Sequence, residues 1–360
     1  MASGLNPVLL LLAFPIMRIG LVFCAFLRLF VATPPMKFAI RSLALALFLG
    51  VLPPGLIAAT EHYTIAVIPM GTTHEYWKMI HAGALQAQAE LKAGGTDVEI
   101  IWKGPLREDD RDQQVQVVEN FIGRRVSGMV LAPLDHRALV APVEQAAAAG
   151  IPVAIVDSGL DSKTPVSYIA TDNYKGGQLA ADRLGELLHG QGNVILLRVQ
   201  VGSGSCEARE AGFLAELAAK FPAIKVISSN QHGGATRDTA MAASQNLLNR
   251  YGAQVNGIFT PNESTQAGML LALSNAGLGG GKVKLVGFAN SASFNDAFKR
   301  NDLQGMILQD PVKMGYLGVK TIVQVLRGEK VPAVVDTGVY LATAENLTDP
   351  KIAGLMALPK

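Results

Sequence analysis

From Glu61 onward, short apolar runs alternate with segments whose apolar residues recur at helical spacing. The runs lie at 63–68, 98–102, 128–131, 153–156 and 166–169, then at 193–199, 225–228, 257–260, 283–287 and 304–308. They are continuous in apolar character instead of alternating with polar residues, the mark of strands covered on both faces of a parallel sheet. Between them the pattern changes period. Residues 112–123 carry Val115, Val118 and Ile122 one helical face apart, and 143–149 is stopped by Gly150 and Pro152. Five strand–helix alternations followed by five more predict an α/β chain of two doubly wound parallel-sheet lobes.

A further helix over 312–326 and then residues 334–340 are expected to return to the first lobe. The first lobe is thus expected to hold 60–170 plus 310–337, and the second 171–309 plus 338–360. The chain then crosses between lobes near Thr171, Asp310 and Asp336. Several parallel linkers make a hinge.

The first 59 residues read as address. From Met36, Lys37 and Arg41 form a positive start, 43–51 an apolar stretch, and Ile57-Ala58-Ala59 a small-residue end. That is a secretory signal peptide over 36–59, with a cut expected near Ala59. No Cys follows the apolar stretch, so no lipid anchor is indicated. Residues 8–31 are also apolar, but Pro15, Arg18 and Arg28 make them a poor membrane span. Two readings stand for 1–35: a second anchor, or sequence upstream of a true start at Met36. The second is favoured, because Met36 opens a complete signal peptide alone.

Length and charge narrow the classes. A chain of 360 residues can hold two sizeable cores. Removing Arg18, Arg28, Lys37 and Arg41 from 31 basic residues leaves 27 against 29 acidic ones. Nothing resembles the basic footprint of a nucleic-acid binder. Once Cys24 is removed with the export segment, Cys206 has no disulfide partner, and it reads as either a reactive thiol or a packed loop residue. His62, His74, His81, His136, His189 and His232 show no metal-ligand spacing, and no cofactor is called for.

In parallel α/β sheets, ligands bind past the C-terminal ends of the strands, so the residues that follow each run are the candidates. After the first run come His74, Glu75, Tyr76 and Trp77. Two adjacent aromatics cannot both point along one buried helix face, so at least one is expected to face a cleft and stack on a sugar ring. Asp157 ends the fourth run, as an acceptor for paired hydroxyls or as a turn cap with Ser158-Gly159. Beyond Gly202-Ser203-Gly204-Ser205-Cys206 stands Arg209, whose guanidinium offers paired donors. Asn262 and Gln309 follow later runs with amides that donate and accept, though each alone is more often a turn or cap residue. Glu108-Asp109-Asp110, flanked by Arg107 and Arg111, reads as the solvated start of the next helix.

Catalytic motifs fail. Gly279-Gly280-Gly281-Lys282 lacks the first glycine of a phosphate loop (Ala276) and its hydroxyl residue (Val283), and there is no G-x-S-x-G elbow. No nucleophile, metal or acid–base pair can be assembled, so an enzyme is not expected.

Over Glu61 to about Tyr340 the chain resembles the periplasmic sugar-binding proteins of ABC transporters. The match is to the ribose-binding-protein-like branch of the type I periplasmic binding fold, shared with the effector cores of LacI-type repressors. The resembling stretches are Leu131-Ala132-Pro133-Leu134-Asp135, Gly150-Ile151-Pro152-Val153, Ile169-Ala170-Thr171-Asp172-Asn173 with Gly176-Gly177, Arg209-Glu210-Ala211-Gly212-Phe213, and Val286-Gly287-Phe288. The resemblance implies a monomeric periplasmic receptor that closes on a small sugar or polyol and delivers it to a permease. A sensor presenting ligand to a chemoreceptor or histidine kinase would share the site. A repressor would need an N-terminal helix-turn-helix, and apolar export sequence stands there instead.

By the same resemblance, Tyr76 and Trp77 stack on the ring, and Asp157, Arg209, Asn262 and Gln309 bond its hydroxyls. The chain departs from a ribose site, which would carry Asn at His74, Arg at Ser158, Asn at Ala132, Asp at Ala289 and an aromatic near Ala235. His74, Glu75 and Asn290 are the candidates to supply replacement contacts.

Overall fold

Ile65 and Val67 belong to one buried apolar cluster, and Ala66 and Ile68 to another. Successive side chains of a strand point to opposite faces, so a strand with no polar alternation must be covered on both, and β1 (His62–Ile68) is. The same division recurs in β4 (Val153–Val156), with Ala154 and Val156 on one side and Val153 and Ile155 on the other. A computed structural model describes residues 61–357 of the chain. The export segment expected over 1–59, with its signal peptide at 36–59, lies outside the described residues.

Two six-stranded sheets result. The first has the order β11-β5-β4-β3-β1-β2 and is parallel throughout. Besides β1 and β4 it contains β2 (Asp97–Trp102), β3 (Gly128–Leu131), β5 (Ser167–Ala170) and β11 (Val334–Asp336). Its helices are α1 (Glu75–Ala93), α2 (Arg111–Gly123), α3 (Val140–Ala148) and α9 (Pro311–Leu326).

The second sheet has the order β12-β10-β9-β8-β6-β7. Its strands are β6 (Gly192–Leu196), β7 (Ile224–Ser228), β8 (Gly257–Thr260), β9 (Lys284–Phe288), β10 (Gly305–Leu308) and β12 (Tyr340–Ala342). Helices α4 (Asn173–Leu187), α5 (Gly204–Lys220), α6 (Arg237–Tyr251), α7 (Glu263–Asn275), α8 (Asn295–Lys299) and α10 (Pro350–Met356) accompany it.

Two details differ from the sequence reading. The stretch 334–340 does not return whole to the first sheet: β11 joins it, while Tyr340 opens β12, which runs antiparallel to β10 in the second. The chain turns at Gly338 (φ 97°), a backbone region glycine enters freely, and Thr171 Oγ1 donates to the Gly338 carbonyl at 2.8 Å. The second sheet is therefore parallel except for that edge strand.

The chain passes between the sheets three times: from β5 into α4, from β10 into α9, and from β11 into β12. On the second sheet, α4 and α5 approach closely enough that backbone meets backbone. A Cβ at Gly177 would lie 1.9 Å from the Arg209 carbonyl oxygen, and one at Gly212 would lie 2.0 Å from that of Tyr174. Glycine is required there, and the contact sets where Arg209 stands.

Candidate functional site

The ends of β1, β4, β6, β8, β9 and β10 converge on a cavity between the two sheets. All eight residues expected from the sequence line it: His74, Tyr76, Trp77, Asp157, Arg209, Asn262, Asn290 and Gln309. Glu75, named beside them, does not, because its carboxylate accepts from Ser291 Oγ at 2.7 Å.

A polar relay runs through the cavity wall. The Tyr76 hydroxyl donates to Asp157 Oδ1 at 2.5 Å, Gln309 Nε2 reaches the same oxygen at 3.3 Å, and Gln309 Oε1 accepts from Arg209 Nη2 at 3.0 Å. Arg209 is further held by Asn173 Oδ1 (2.8 Å to Nε) and the Pro261 carbonyl (2.9 Å to Nη1). Its guanidinium carbon lies 3.7 Å from the Phe288 ring centre. Three of five N–H donors are thus engaged and two remain. Removal from water pushes the Asp157 carboxyl up from its ordinary range, with Arg209 the largest opposing influence. Burial next to Asp157 keeps the Tyr76 hydroxyl protonated well above its usual range.

The two aromatics stand at the start of α1 with ring centres 5.1 Å apart and planes at 87°, an edge-to-face pair. Both reach the cavity, one by its hydroxyl end and the other with its indole nitrogen donating to Glu108 Oε1 at 2.6 Å. His74 Nδ1 lies 2.9 Å from the same Glu108 oxygen. That bond raises the imidazole to about 9 against the opposing effect of burial, so it is charged at neutral pH.

Two candidates are committed elsewhere as well. Asn262 is the N-cap of α7, its Oδ1 accepting from Thr265 N at 3.0 Å, so the cap role and a cavity position coexist. Asn290 donates to the carbonyls of Gln309 (2.8 Å) and Leu355 (2.9 Å) and accepts from Gln309 N at 3.1 Å. It braces the ends of β9 and β10 and forms wall with no free amide proton.

The reading of Glu108 as a solvated helix start is corrected. Its side chain is 14% exposed and lies under Trp77 and His74. The loop after β2 is itself a strand end, and the rule applied to the other strands would have found it. Glu263, beside Asn262, and Phe288, under Arg209, were also missed as lining residues. Cys206 is buried in the same wall, its thiol pushed up to about 11 by burial, which is the packed alternative. Among the described residues no cluster of His, Cys, Asp and Glu could hold a metal ion.

The rims touch above the cavity. His136 N donates to the Gly202 carbonyl (2.9 Å), Ser205 N to Ser158 Oγ (3.0 Å), and Gln200 Nε2 to the Glu108 carbonyl (2.9 Å), while His136 Nε2 lies 3.4 Å from Glu207 Oε2. Each bond joins a residue of one sheet's loops to a residue of the other's. The arrangement is closed.

Residues 65–330 match the model of the periplasmic binding protein domain. The D-ribose/D-allose-binding protein of Pseudomonas aeruginosa is 27% identical over 79% of this chain and 90% of its own length. The xylitol-binding protein of Mycolicibacterium smegmatis is 28% identical over 66% of this chain and 67% of its own. A carbohydrate transporter solute-binding protein from Agrobacterium radiobacter, solved with D-arabinose, superposes with a TM-score of 0.76 at 34% identity, covering 82% of this chain and 99% of that one. A chain with this fold, and with the expected residues lining a cavity between two sheets, belongs to the periplasmic binding proteins, in the ribose-binding-protein-like branch of the non-enzymatic sugar binders that serve ABC transporters.

Proposed function

We propose that the protein captures a five- or six-carbon sugar or polyol in the periplasm and hands it, as a monomer, to an ABC permease. The lobes that move are 60–170 with 310–337 and 171–309 with 338–360, and the three inter-sheet passages are the hinge. Ligand favours the closed form because only there do both lobes contact it. Asp157 accepts from ligand hydroxyls, Arg209 donates its two remaining N–H groups, and Gln309 couples the two. Tyr76 and Trp77 cover the ring. The signal peptide over 36–59 directs export.

The observation that carries this reading is the convergence of all eight expected residues on one cavity between the sheets. The relatives' ligands, xylitol, D-ribose, D-allose and D-arabinose, define the chemical class and the first panel to try. Thermal-shift measurement of the purified protein against these four and related sugars tests it. A hundredfold excess over the dissociation constant stabilises a receptor by about 2.7 kcal/mol. If no sugar or polyol raises the melting temperature, the reading is abandoned.

A further inference from the structure

One carboxylate in the cavity has no use in the scheme above. Glu263 opens α7, on the second sheet's side, and its Oε2 is buried without a hydrogen-bond partner among the described residues. No neighbour donates to it as the side chains stand. Asn262 is occupied in capping α7, and His74 already gives its Nδ1 edge to Glu108. Burial pushes its carboxyl up from the ordinary range, His74 opposes this, and Glu108 and Glu75 add to it. A buried carboxylate oxygen with nothing donating to it is strongly unfavourable, and an incoming hydroxyl is the group that would satisfy it. The charges here also exclude a class of ligand. Two carboxyl groups, of Glu108 and Glu263, line this end, and the His74 imidazole is already paired with Glu108, so an anionic ligand group here would be desolvated without a partner.

We propose that Glu263 is a specificity-determining residue: it accepts a hydroxyl from a neutral ligand and, with Glu108, turns away sugars that bear a carboxylate or phosphate at that end. The proposal rests on the sugar-receptor reading and narrows its ligand to uncharged molecules.

Titration calorimetry compares D-ribose, D-allose, D-arabinose and xylitol with D-ribonate, D-galacturonate and D-ribose 5-phosphate. Wild-type protein is expected to bind at least one neutral compound, and every acid at least about tenfold more weakly. Glu263→Gln should weaken the neutral ligand about tenfold and shrink the preference over acids by a similar factor. Glu263→Asp, which keeps the charge but draws it back, should weaken the neutral ligand and preserve the preference. Melting curves without ligand establish that both variants fold. Unchanged neutral affinity in Glu263→Gln, or wild-type binding of an acid as tight as that of the neutral sugar, overturns the proposal and leaves the receptor reading standing. Failure of wild-type protein to bind any compound of either kind overturns both.

Discussion

Asp157 holds a left-handed backbone conformation (φ 63°), uncommon for a side-chain-bearing residue though least costly for Asn and Asp. The turn lifts its carboxyl off the end of β4 into contact with Tyr76 and Gln309. Asp157→Asn keeps the shape and replaces one carboxyl oxygen with an amide donor. It should raise the dissociation constant roughly ten- to a hundredfold, the worth of a hydrogen bond to a charged group, and calorimetry showing wild-type affinity would remove Asp157 from the proposed contacts. His74 supplies a pH test. Its folded value of about 9 stands above the ordinary 6.5 because of Glu108. The stabilisation is therefore fully present below pH 6.5 and lost as pH rises through about 9. Urea unfolding should show wild type losing roughly 1.5–3 kcal/mol more than His74→Gln across that interval. Parallel pH profiles for the two proteins would show that the Glu108 contact adds nothing to stability.

At the scale of elements, the α4–α5 crossing decides where the guanidinium can be. Asn173 at the start of α4 bonds Arg209 on α5, and Gly177 one turn further on lets the Arg209 backbone approach. Gly177→Ala must push the helices apart, and overpacking of this kind typically costs about 1–3 kcal/mol. The melting temperature should fall and sugar affinity with it, since Arg209 moves relative to Gln309 and Pro261. A variant that melts lower but binds normally would separate the crossing from the site. Gly177 and Gly212 stood in the sequence only within the stretches that carry the resemblance; their joint effect on one side chain was not legible, because it depends on the angle at which two helices meet.

At the scale of the molecule, the two sides are joined by His136–Gly202, Ser158–Ser205, Gln200–Glu108 and Glu75–Ser291, with His136 beside Glu207. These are few and polar, and water can replace each of them when the cleft opens. The proposed hinge therefore predicts that ligand-free protein is the more open. Small-angle scattering should give a smaller radius of gyration at saturating sugar than without it. Identical curves would mean that the closed arrangement persists without ligand and that lobe closure is not the binding event.

Ten of the twelve strands, and the helices between them, were readable from the period and order of apolar runs, because burial on both faces leaves no room for polar alternation. The same logic located six of the cavity residues at strand ends, with His74 and Asn290 added from the family comparison. The sequence could not show that Glu108 turns inward. An acid between two arginines is compatible with solvent, and only the approach of Trp77 and His74 from α1 buries it. Nor could it show that Gly338 divides the last segment between two sheets, or that Asn290 has no amide proton left to give. Local pattern determines which face of an element is covered; which polar atoms then meet is decided when separate elements pack.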